Sequence, residues 1–309
     1  MLKITSLTKY DGKYDEIIED YSRLFEKEYD YNIKKMIKNV FRDIEESKKR
    51  GYALLDDDRL VGVMVYHLDE NVGVIHFFHI LEKFAKPFAL KKILSHFINK
   101  KIKENLPKVV TLFDIFNFGE KQLNSLMLDF GFERKQRDLF ELKVKDYEYV
   151  EFEEDKIEIK QFKFENMKQI SKLAQFAFAG SLEQEVYPSG FNVKDYEEEM
   201  NNSINGLYGK FLPIYSKEVY LEDELIGAII TTQDQSTLVL HQFFIVPKNW
   251  GNQYGYRMLN ELFKFVDQKG RYEKIATFVS HDNNRVKKLL KKMGFKLKLK
   301  MNIYSRLLL

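Results

Sequence analysis

The residues Phe243–Leu262, FFIVPKNWGNQYGYRMLNEL, place an apolar run ahead of Pro247, a loop carrying Gly251 and Gly255, and then apolar residues at helical spacing. A strand that feeds a glycine loop at a helix N-terminus makes an anion site. The first turn of a helix has N–H groups without an internal partner, and the positive end of its dipole lies there. Downstream, Asn283 opens NNRVKKLLKKMGF, a helix pattern headed by an asparagine and stopped at Gly294-Phe295. Two side chains near these segments suit proton or amine handling. Gln242 can hold a water or an amine, and His281 is an imidazole that titrates near neutral pH. Strand alternation puts Phe244, Gln242 and Leu240 on one face and His241 on the other, where a packed core histidine is expected. His76 and His79, three apart on a strand, point to opposite faces, so no metal site is expected there.

Taken together, the loop and the Asn–Gly–Phe helix resemble the GNAT superfamily of acyl-CoA-dependent N-acyltransferases. The family's loop reads Gln/Arg-x-x-Gly-x-Gly/Ala. Here Trp250 and Gln253 depart from it and Gly255 keeps it, so Gln253 must adopt a conformation that glycine reaches more freely. The resemblance implies a coenzyme A diphosphate held by the backbone of Gly251, Asn252, Gln253, Tyr254, Gly255 and Tyr256. It also implies a thioester positioned by Phe244, Ile245 and Val246, and Asn283 facing the coenzyme. Arg257, Lys287 or Lys288 would meet its phosphates. The tyrosine that commonly protonates the departing thiolate falls at Leu290, which leaves Gln242 and His281 as the catalytic candidates.

The elements that would position these residues come twice. Tyr52–Val63 and Val219–Ala228 both read as strand, acidic turn, strand, with Gly62 and Gly227 separated by 165 positions. Gly131-Phe132 recurs as Gly294-Phe295, 163 positions on. Two copies of one fold are expected, residues 1–150 and 151–309, divided near Tyr149–Asp155. Each is α/β, a central mixed β-sheet flanked by helices, in a tandem layout similar to that of mycothiol synthases. Helices are expected at Asp15–Tyr29, Asn32–Lys49, Phe88–Lys100 and Lys121–Asp129, and again at Glu165–Ala177, Val193–Ile204, Tyr254–Gln268 and Asn284–Lys292. Strands are expected at Val109–Phe116 and, near the C-terminus, as separate pieces at Lys296–Lys300 and Ile303–Leu308. In the first copy the segment matching the glycine loop, Glu82–Pro87, has no glycine, and Pro87 lacks an N–H, so a coenzyme A site is expected only in the second.

Composition narrows the partners. Lys+Arg 50 against Asp+Glu 47 gives a net charge of +3 with signs interspersed, which does not indicate a nucleic acid. There is no cysteine, which excludes disulfides, thiolate metal sites and a cysteine acyl-enzyme. No apolar run approaches membrane-spanning length, so a cytoplasmic protein is expected. The resemblance implies transfer of an acetyl group from acetyl-CoA, without a metal, to a primary amine of a small molecule or peptide by direct attack. The alternative is an acyl-CoA-binding module without turnover. The acceptor wall is expected along 180–191, where Glu183 and Glu185 would attract a cation.

Overall fold

The computed structural model describes residues 2–307 apart from 11, 31, 48, 69–71, 103–107, 112–113, 153–155, 182, 185–191, 207–208 and 235. It divides into two compact units, Met1–Gln136 with Met301–Leu309, and Arg137–Lys300.

The first unit runs β1 (Leu2–Ser6), α1 (Asp15–Tyr29), α2 (Lys34–Glu45), β2 (Arg50–Asp56), β3 (Arg59–Leu68), β4 (Val72–Ile80), α3 (Pro87–Ile102), β5 (Lys108–Thr111) and α4 (Glu120–Asp129), and enters β6 (Glu133–Lys143). Strands β1 to β5 pair in sequence order, antiparallel except for β4 with β5, which are parallel. Residues Ser305–Leu307, the end of β13 (Lys296–Leu307), add an antiparallel strand to β5. The core lies between the sheet and α3, with Leu90, Ile93, Leu94 and Phe97 packed against Leu54, Met64 and Phe78.

The second unit contains residues Arg137–Lys143 of β6, then β7 (Ile157–Gln161), α5 (Met167–Phe178), α6 (Val193–Ile204), β8 (Lys210–Phe211), β9 (Lys217–Leu221), β10 (Glu224–Asp234), β11 (Thr237–Ile245), α7 (Tyr254–Lys269), β12 (Lys274–Ser280) and α8 (Asn284–Lys292). Its sheet has the order β7-β9-β10-β11-β12-β6, and only the β11–β12 pair is parallel. Each unit is thus a mixed sheet flanked by helices. The core under α7 gathers Met258, Leu259, Leu262, Phe263 and Val266 against Ile229, Leu238 and Ile275. A second core lies on the opposite face, where α5 and α6 bring Ile170, Ala174, Tyr196 and Met200 onto Ala228, Ile230 and Phe244. The segment before β7 is pinned to α7 by buried Asn260. Its side chain accepts from Tyr147 Oη at 2.8 Å and from Val150 N at 3.1 Å, and donates to Val150 O at 3.1 Å.

The repeat extends to the irregularities of the two sheets. β3 slips against β4 between Val65 and Tyr66, leaving His76 unpaired in register, and β10 slips against β11 between Ile230 and Thr231, leaving His241. The two histidines differ by the same 165 positions as Gly62 and Gly227. A bulge puts two residues opposite one and reverses the alternation beyond it. That corrects the expected face of β11. Leu240 packs into the core under α7, whereas Phe244 packs on the α5–α6 side. Two further expectations are corrected. The C-terminal pair of strands is one strand, Lys296–Leu307, and the strand expected over Val109–Phe116 is seen at Lys108–Thr111, with 112–113 outside the described residues and 114–116 irregular. Strands β1 and β8 were not anticipated. Both are short, and a five-residue strand with partial burial has little period to read.

Candidate functional site

Strands β11 and β12 pair only over Thr237–Val239 with Lys274–Ala276, and beyond that point the sheet is open between them. A cleft of about 730 Å³ follows in the second unit, walled by Phe243, Phe244 and Ile245 of β11, by the loop after it, and by the start of α8. Val246 N–H bonds Ile226 O at 2.9 Å, which commits it to β10. Strand alternation then directs the N–H groups of Phe243 and Ile245 to the open edge, so the Ile245 amide faces that edge and the Val246 amide does not.

The loop has the geometry its sequence requires. Gly251 lies at φ 89° and Gln253, the residue that caps α7, at φ 60° in the left-handed region. The first internal bond of α7 is Arg257 N–H to Gln253 O at 3.0 Å. The N–H groups of Tyr254, Gly255 and Tyr256 therefore project from the helix start. A Cβ at Gly255 would sit 3.5 Å from Leu289 Cδ2, so α8 lies close against this turn. Trp250 donates its indole N–H to Ile245 O at 2.6 Å, and its ring lies under the Arg285 guanidinium, 3.3 Å from carbon to ring centroid.

Of the coenzyme-binding candidates, the cleft brings together Phe244, Ile245, Gly251, Gln253, Tyr254, Gly255, Tyr256 and Asn283. Val246 and Asn252 are not in its wall. The Asn252 amide turns back to Asn249 O at 3.4 Å. Asn283 caps α8 by accepting Val286 N–H at 3.2 Å, the ordinary work of an asparagine there, while also facing the cleft. The cations expected to meet the phosphates do not line the cleft. Lys287 is drawn to buried Asp138 at 3.0 Å and to His281 O at 2.6 Å, and Arg257 lies over Phe152 at 5.5 Å. Lys288 is not in the wall either; Arg285 and Lys292, which are, were missed. Helical spacing holds the signal, since Arg285, Leu289 and Lys292 follow at i, i+4 and i+7 on one face. Leu290 lies on the other face, fully buried in the core under α7.

Three groups of hydrogen bonds lie on β11, β12 and the start of α8. Glu183, 8% exposed and in the cleft wall, accepts from Ser280 N at 2.8 Å and Asn283 Nδ2 at 3.4 Å, with Arg137 Nη2 at 3.7 Å. His281 stands outside the wall, its Nδ1 3.0 Å from Asp138 Oδ1, and Asp138 is 1% exposed. A carboxylate on Nδ1 fixes the proton there and leaves Nε2 as the acceptor nitrogen. Gln242 is buried on the α5–α6 side, and among the described residues its Oε1 has no hydrogen-bond partner. His241, expected as a packed core residue, is 11% exposed on its side chain and pairs Nε2 with buried Glu199 at 3.2 Å. Among the described residues its counterpart His76 has no such carboxylate. It meets His67, and burial, with the neighbouring His67 and Lys49 charges, holds its pKa well below the imidazole range. Glu185 lies outside the described residues.

The matching turn of the first unit differs in chemistry. Phe84 N–H bonds Leu81 O at 2.8 Å, Ala85 N–H bonds Glu82 O at 3.2 Å and Lys86 N–H bonds Phe84 O at 2.7 Å, and Pro87 has none to offer. The Phe84 and Ala85 bonds have counterparts before α7, Asn249 N–H to Val246 O at 3.0 Å and Trp250 N–H to Pro247 O at 3.1 Å, so the difference lies at the helix start, where Pro87 has no N–H and Ala89 N–H bonds Lys86 O at 3.0 Å.

Residues 176–295 match the model of the acetyltransferase (GNAT) family. This segment is a GNAT acetyltransferase domain. The whole chain is similar in fold to a tandem GNAT protein from the clavulanic acid biosynthesis pathway, at TM-score 0.63 and 10% identity, covering 100% of this chain and 99% of that one. It is also similar to a GCN5-related N-acetyltransferase from Sphaerobacter thermophilus, at TM-score 0.61 and 10% identity, over 84% of this chain and 80% of that one. A glucosamine N-acetyltransferase region of a fungal multi-domain GH3 β-N-acetylglucosaminidase gives TM-score 0.71 at 8% identity, over 99% of this chain and 38% of that one. At such identities the likeness is one of fold. No curated protein matches the chain. The GNAT domain contains the cleft, its glycine loop and Asn283, and the chemistry the family points to is acyl transfer. Among the described residues no helix is long and apolar enough to cross a membrane, and no cluster of His, Asp and Glu is suited to a metal.

Proposed function

We propose that the chain is an N-acetyltransferase that binds acetyl-CoA in the cleft between β11 and α8 and passes the acetyl group to a primary amine. The observation that carries this reading is the row of N–H groups of Tyr254, Gly255 and Tyr256 opening into the same cleft as Asn283 and the open edge of β11. These donors suit a diphosphate, and acetyl-CoA supplies the thioester. The Ile245 amide at the open edge would hold the carbonyl oxygen as negative charge develops on it. Glu183, which accepts from Ser280 N–H and Asn283 Nδ2 in the cleft wall, would attract the acceptor as an ammonium ion. Once the ammonium gives up a proton, the amine forms the N–C bond as the C–S bond breaks. His281, oriented by Asp138, or His241, backed by Glu199, would take such a proton from outside the cleft wall. The first unit, whose matching helix start has Pro87 without an N–H and Ala89 N–H bonded to Lys86 O, would bind no coenzyme A. The test is thiol release from acetyl-CoA across a panel of primary amines; acetyl-CoA binding with no transfer to any amine would reject the enzyme reading.

One observation favours the second reading, an acyl-CoA-binding module. Leu290 turns into the core, so α8 presents no proton donor from that position. A coenzyme A thiol resembles a free cysteine of pKa about 8.5, acidic enough to leave as a thiolate unaided. We therefore favour slow transfer over none.

A further inference from the structure

The segment that opens α7 has an aromatic residue at each end, Trp250 and Tyr256, with the glycine turn between them. Each ring carries a cation from α8. Arg285 Cζ is 3.3 Å from the Trp250 ring centroid, and Lys292 Nζ is 4.7 Å from that of Tyr256. All four side chains line the cleft. The two cations are seven residues apart, two helical turns, with Leu289 between them seated on Gly255. Trp250 is itself fixed, because its indole N–H donates to Ile245 O. Among the described residues neither cation is paired with a carboxylate, whereas Lys287 on the neighbouring face is held by Asp138.

An aromatic face holds a cation in place without neutralising it, and an unneutralised arginine keeps its planar fork for an anion. A row of helix N–H groups between two such cations suits an extended dianion better than a single carboxylate. We infer that Arg285 and Lys292, parked on Trp250 and Tyr256, clamp the two ends of a diphosphate ester whose middle lies on the N–H groups of the α7 start. The cation of this site therefore comes from α8 and not from the loop, where position 250 supplies the ring instead. The inference rests on the reading of the cleft as a coenzyme A site and names the groups that select its phosphates.

Calorimetric titration of the full chain with coenzyme A and with pantetheine, which lacks phosphate, tests it. Arg285→Ala and Lys292→Ala are each expected to weaken coenzyme A binding about tenfold or more, the range of a hydrogen bond to a charged group, and to leave pantetheine binding unchanged. Trp250→Ala is expected to reproduce the Arg285→Ala loss, and Trp250→Phe, which keeps a ring, to recover part of it. Both cations are exposed, so unchanged melting curves will show that folding is intact. Wild-type coenzyme A affinity in both cation variants, or an equal loss for pantetheine, overturns the clamp while leaving the coenzyme site standing. Absence of coenzyme A binding by the unsubstituted chain overturns the site itself, and the clamp with it.

Discussion

Gln253 shows how one residue bears the cost of the site. It sits at φ 60°, where a residue with a Cβ is strained and glycine is not. Gln253→Gly is expected to stabilise the chain by roughly 0.5–1 kcal/mol, the left-handed penalty less the added freedom of the unfolded chain, without weakening coenzyme A. Denaturant midpoints check this, and a lower midpoint would mean that the glutamine side chain supports the turn. Leu290 carries the opposite lesson. The resemblance invites a tyrosine there, yet the side chain is fully buried in the core. Leu290→Tyr should cost about 1–3 kcal/mol by overpacking and leave acetyl transfer no faster. A faster single turnover in a stable variant would show that the ring reaches the cleft. Asp114, in the first unit, is buried beside Tyr29 and accepts Asn302 N–H at 3.1 Å, and burial pushes its carboxyl up to about 6. Its folded pKa lies above the unfolded value, so the folded state holds the extra proton and stability falls as pH rises from about 4 through 6. The full effect is on the order of 2 kcal/mol. Melting curves of Asp114→Asn should lose that slope; an unaltered slope would assign it to other groups.

At the scale of elements, the helices were the most legible part of the sequence. Five matched residue for residue or within one position, among them Asp15–Tyr29 and Asn284–Lys292, because their apolar stripes run for several turns. The faces of β11 were not legible. Alternation alone gave Leu240 the wrong side, since nothing in a string of letters marks the slip at His241. The glycine loop was legible because its residue types constrain the backbone, and Gln253 adopts the torsion that its place in the loop demands. The cations were not, because three basic candidates looked equivalent until Asp138 captured Lys287. Asp138 and Arg137 are far from α8 in sequence, and only the pairing of β6 with β12 brings them to it. The end of α7 tests the element directly. Gly255→Pro keeps a residue that the first helical turn tolerates and deletes one outward N–H. It should abolish measurable coenzyme A binding in a folded chain, and retained affinity would refute the loop as the phosphate site.

At the scale of the molecule, two copies of one sheet-and-helix order share hairpin register and bulge positions, yet the starts of α3 and α7 have parted in chemistry. At the start of α3 Pro87 has no N–H and Ala89 N–H bonds Lys86 O, whereas at the start of α7 the N–H groups of Tyr254, Gly255 and Tyr256 project at the cleft wall. The account therefore predicts a single coenzyme A site per chain, in residues 151–309. Calorimetry of the full chain with acetyl-CoA measures this most directly. A stoichiometry near one, lost in Gly255→Pro, is the predicted result; two equivalent sites, or one site that survives Gly255→Pro, would contradict it.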